Sequence, residues 1–98
     1  MIVRVVKMTF RKEEIETFLE VFEHSKKAIR NFPGVTHLEL LKGTQNENVI
    51  FTYSHWQTEE DLENYRNSKL FKDTWAKTKP LFLKPAEAWS TERIAHLP

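Results

Sequence analysis

A chain of 98 residues is long enough for one domain and too short for two. Its 15 Lys and Arg stand against 14 Asp and Glu, a net charge of +1 with the signs interspersed, so nothing favours nucleic acid or an acidic membrane as partner. The absence of cysteine excludes a disulfide, a thiolate nucleophile and an iron–sulfur site, and fits the reducing cytoplasm expected as its location.

The N-terminus, MIVRVVKMTF, is too short and too charged for a signal peptide or a membrane span. Residues 2–10 read instead as a strand with apolar side chains on both faces: Ile2, Val3, Val5, Val6, Met8 and Phe10. Such a strand needs cover on both sides. Residues 12–31 have helical periodicity, with Ile15, Phe18, Leu19, Phe22 and Ile29 on one stripe. Glu13, Glu14 and Glu16 near its start and Lys26, Lys27 and Arg30 near its end match the helix dipole. Asn31-Phe32-Pro33-Gly34 stops it, because Pro cannot continue a helix and Gly permits the turn.

Residues 35–42 and 49–56 read as two strands joined by the polar loop Gly43–Asn48. On the second of them Val49, Phe51, Tyr53 and His55 share one face, and Ile50, Thr52, Ser54 and Trp56 the other. Thr58 with Asp61 resembles a capping box opening a helix over 59–66, which turns Leu62 and Tyr65 inward. Ser68 caps a second helix over 69–79, with Leu70, Phe71 and Trp75 inward, and Pro80 ends it. Residues 86–91 fit a fourth strand and 92–98 a tail.

The order is βαββαβ with its second helix broken in two, a split βαβ, ferredoxin-like α+β fold in a single domain over residues 1–91. Helices of this plan cover one face of the sheet. Strands apolar on both faces therefore predict a homodimer packed sheet against sheet.

Few residues point to chemistry. His24, His37, His55 and His96 lie in separate elements with no metal-ligand spacing, so no metal is expected. His37 and His55, alternating with apolar neighbours on adjacent strands, are either a half-buried pair or polar groups of a pocket. No nucleophile motif is present, and both glycines, Gly34 and Gly43, sit in turns, so no phosphate-cradling loop and no nucleotide cofactor is expected. What remains is aromatic: seven Phe, three Trp and two Tyr either fill a small core or wall a pocket for a flat apolar ligand.

The segment FTYSHWQTEEDLENYRNSKLFKDTW, residues 51–75, resembles the antibiotic biosynthesis monooxygenase-like family of dimeric α+β barrels. The resemblance rests on Trp56 closing a strand, Thr58 with Asp61, Tyr65, Ser68 with Phe71, and Trp75. It implies a cofactor-independent monooxygenase that oxidises a small (poly)cyclic aromatic or phenolic substrate with O2. On that reading Trp56 and Tyr65 hydrogen-bond substrate oxygens, Phe71 and Trp75 form a wall with Val6, and His37 or His55 takes the proton. A haem-degrading branch of the family places tryptophan, histidine and asparagine where this chain has Tyr65, Trp75 and Val6, so haem is not expected. A non-catalytic dimer binding a small aromatic ligand is the alternative.

Overall fold

The computed structural model describes residues 1–98 in full. Four strands, β1 (Ile2–Phe10), β2 (Val35–Lys42), β3 (Val49–Trp56) and β4 (Phe82–Glu92), form one antiparallel sheet in the order β2-β3-β1-β4. Helices α1 (Ile15–Arg30), α2 (Glu59–Arg66) and α3 (Lys69–Thr78) connect them, with short 3-10 turns at Lys12–Glu14 and Lys79–Leu81. This is the ferredoxin-like α+β plan, with the second helix interrupted. Thr58 Oγ1 accepts from the Asp61 N–H at 3.0 Å and Ser68 Oγ from the Phe71 N–H at 3.1 Å, so the interruption has its own cap. No helix is long and apolar enough to cross a membrane.

Two elements differ from the sequence expectation. β4 begins at Phe82, four residues before the expected start. The added stretch contains Pro85; β4 is an edge strand and its register against β1 shifts between Lys7 and Thr9, so the missing N–H is tolerated. On α1, Leu19 is 38% exposed and lies off the packed stripe; Ser25 is buried there instead, its hydroxyl donating to Val21 O at 3.0 Å.

The core has two parts on the helix side of the sheet. Met8, Phe10, Phe18, Ile50 and Leu81 form the larger, with Phe10 and Phe18 stacked at 4.4 Å. Val35, Trp56 and Leu62 form the smaller, at the other end of β3. Gly34 turns the chain from α1 into β2 with φ 94°, and a Cβ there would stand 2.4 Å from Asp61 Cβ, so both conformation and space require glycine.

The opposite face of the sheet carries no helix. Trp89 (47% exposed) and Leu41 (43% exposed) lie on it with Val5, Phe51 and Tyr53.

Candidate functional site

Between the helix side of the sheet and the three helices lies a cavity of about 320 Å³. Small residues make the room: Ala86 and Ala88 of β4 and Thr52 and Ser54 of β3 line the floor beside Val6. Ala88 and Ser90 are solvent-exposed although the strand alternation turns them toward the helix side, so the cavity opens along β4.

Aromatic rings form the wall over it. Tyr65 leans on Trp56 at 5.1 Å and meets Phe71 edge-on at 5.2 Å. Phe71 stacks on Trp75 at 5.8 Å, and Trp75 meets Phe82 at 5.5 Å. The chain break at Asn67-Ser68 redirects α3 so that Phe71, rather than direct contact, links Tyr65 to Trp75.

Val6, Trp56, Tyr65, Phe71 and Trp75, five of the residues singled out in the sequence, are thus brought together on one cavity. One of them differs from expectation. The Trp56 indole N–H is already committed, donating to Ser54 Oγ at 3.0 Å, and the residue is 2% exposed. It is wall and core, with no donor left for a substrate oxygen. Burial pushes the Tyr65 phenol up to about 12, so it is protonated near neutrality and its O–H is available to donate.

His37 and His55 are not in this cavity. Strand alternation puts His55 on the opposite face from Ser54 and Trp56, and an irregularity in β2 between Val35 and His37 puts His37 on that face too. Their rings pack at 4.6 Å, with Tyr53 5.1 Å from His55, and the His37 Nε2 pairs with the Glu39 carboxylate. They are the half-buried pair, and the sheet separates them from any ligand under the helices. His55 Nε2 is sealed from solvent with no hydrogen-bond partner. Burial, then the neighbouring His37 and Arg93, hold its pKa below the usual histidine value.

Among the polar groups that reach the cavity, Arg4, Arg66 and Ser54 went unassigned in the sequence reading. Arg4 carried a signal. It is a charged residue on the same strand face as Val6 and Met8. No carboxylate and no imidazole lines the cavity. A haem iron would find no imidazole, and the Trp75 indole nitrogen has no lone pair to offer it, so these residues do not fit that group.

The family model described as antibiotic biosynthesis monooxygenase matches residues 1–77. The chain belongs to the antibiotic biosynthesis monooxygenase family. Solved structures agree in fold over nearly the whole chain. Rv0793 from Mycobacterium tuberculosis superimposes with a TM-score of 0.90 at 10% identity, covering 99% of this chain and 98% of that one. A conserved protein from Methanosarcina mazei gives 0.89 at 17% identity, covering 95% and 93%. A mutant of SnoaB, a cofactor-independent oxygenase from Streptomyces nogalater, gives 0.87 at 18% identity, covering 99% and 96%. At these identities the family's shared feature is the fold. No curated protein matches the chain in sequence.

Proposed function

We propose that this family member is a cofactor-independent monooxygenase acting on a small cyclic aromatic or phenolic substrate. The observation that carries the reading is the aromatic-walled cavity of about 320 Å³ with few polar groups, one of them the Tyr65 phenol, protonated near neutrality. SnoaB, with the same fold, is an oxygenase without cofactor.

In such a reaction the substrate supplies the electrons. An anthrone-type methylene loses a proton, and the resulting carbanion passes an electron to O2. The pair combine as a C–O bond, the peroxide anion takes a proton from solvent, and the hydroperoxide loses water as its O–O bond breaks. One oxygen atom becomes the ring carbonyl; the other leaves in water with the second methylene hydrogen and the proton taken from solvent. The chain's part is to bind the rings, exclude water and favour the anion, with Tyr65 donating to a substrate oxygen and Arg4 offering positive charge. Because no lining side chain is a general base, the leaving proton goes to solvent through the β4 opening.

That same lack of a base favours a second reading, a dimer that binds a small aromatic ligand without turning it over. Oxygen uptake by metal-free protein with anthrones, hydroquinones and naphthols separates the two. Protein-dependent uptake that falls in Tyr65→Phe supports the oxygenase, whereas tryptophan quenching by the same compounds without uptake supports the binder.

In either reading we propose that the helix-free face seats a second copy of the chain, because Trp89, Leu41 and Phe51 would otherwise stay in water. Light scattering on the wild type and Trp89→Glu tests it: a dimer becoming a monomer is expected, and a monomeric wild type would refute it.

A further inference from the structure

The only charged side chain on the cavity floor belongs to a polar row that crosses three strands. Arg4 of β1 lies opposite Ser54 of β3 on one side and Ser90 of β4 on the other. Arg4 Nη1 donates to Ser90 Oγ at 2.9 Å. Ser54 Oγ accepts from the Trp56 indole, which leaves the Ser54 hydroxyl hydrogen free to donate. Above the row, at the end of α2, Arg66 reaches the same cavity from its exposed rim.

The Arg4 charge has no direct counter-ion. Arg4 has no carboxylate at ion-pair distance; Arg66 has Glu63 at 3.6 Å. Burial, and then the like charge of Arg66, hold the Arg4 guanidinium below its ordinary value, with Glu63 acting weakly the other way. A half-buried cation facing a second cation is an unfavourable arrangement that a bound anion relieves. Guanidinium is planar and offers paired donors, the geometry that matches the two oxygens of a carboxylate.

We propose that the cavity takes a fused-ring aromatic carboxylate, its rings among Val6, Tyr65, Phe71 and Trp75 and its carboxylate on Arg4 and Ser54, with Arg66 at the rim. This rests on the reading of the cavity as an aromatic-ligand site and adds the acidic substituent. The carboxylate end sits at Arg4 and Ser54, and the far ring reaches toward Ala86 and Thr78.

The test is calorimetric titration of the whole chain with 2-naphthoic acid and with 2-naphthamide, its neutral counterpart of equal shape. The acid is expected to bind at least about tenfold more tightly, the worth of one charge-assisted hydrogen bond, and to lose that advantage as salt is raised. Arg4→Gln should bring acid and amide to within about twofold of each other, Arg4→Lys should retain part of the preference, and Arg66→Gln should reduce it less. Equal affinity for acid and amide in the wild type overturns the proposal without any variant. So does a preference that survives Arg4→Gln in protein shown by circular dichroism to be folded. Binding of neither compound overturns both this proposal and the aromatic-site reading. Acid-selective binding without oxygen uptake removes the oxygenase and leaves the anion site standing; uptake with neutral phenols and no acid preference does the reverse.

Discussion

Trp56 donates its indole N–H to the Ser54 hydroxyl two residues back on the same face of β3, at 3.0 Å. A strand repeats its facing every two residues, so the two side chains stand side by side, and the bond satisfies a donor that is otherwise buried. Ser54→Ala strands that donor. The expected loss is about 1–3 kcal/mol in urea unfolding with the slope unchanged. A loss near zero would mean that the indole finds another acceptor.

Tyr65 should titrate far above a free tyrosine. Its pKa is raised to about 12 by burial, because the folded site disfavours phenolate. The folded state therefore keeps a proton that the unfolded chain loses from about pH 10 upward. Stability is full below that pH and falls as pH rises toward 12, by up to about 2–3 kcal/mol. Tyr65→Phe should remove this alkaline loss in thermal melts between pH 9 and 12; an unchanged profile would place the phenol in solvent.

His55 acts at the other end of the scale. Its pKa is lowered first by burial and then by His37, Arg93 and, more weakly, His96, with Glu39 opposing; Tyr53 also faces it. The unfolded chain takes up a proton near pH 6.5 that the folded chain resists. Stability is then constant above that pH and falls as pH drops below it. His55→Gln should flatten the slope of melting temperature between pH 7 and 5, and an equally steep slope in the variant would refute the assignment.

Phe18 and Leu19 are adjacent on α1 and differ in burial, 3% against 38% exposed. Phe18→Ala should cost about 3–5 kcal/mol, because it empties the ring stacked on Phe10. Leu19→Ala should stay within about 1 kcal/mol. Equal costs would mean that α1 packs on a different face.

Gly34→Ala should cost more than about 1–2 kcal/mol, since the left-handed backbone and the Asp61 contact both oppose a Cβ. Chemical denaturation of this variant at neutral pH is the check.

Much of this architecture was legible in the residues. Short-range physics places α1, the Thr58 and Ser68 caps, the Gly34 turn and the alternation of β3, because each depends on neighbours within a few positions. The aromatic set Tyr65, Phe71 and Trp75 was legible for the same reason, as each lies on the inward stripe of its own short helix. The expected proton acceptor was not. His37 and Trp56 look compatible with one pocket until the irregularity after Val35 turns His37 to the far face with His55. That irregularity depends on strand pairing, which no local pattern announces.

The sequence by itself determined the order of the elements, most of each helix-facing stripe and the family to which the chain belongs. Only the tertiary structure decided which side chains share the cavity. Arg4, Ser54 and Ser90 lie 50 and 36 positions apart in the chain and become neighbours because β1 pairs with both β3 and β4. Long-range register governs that meeting, and a one-residue slip in either ladder would turn the partner side chain to the other face of the sheet.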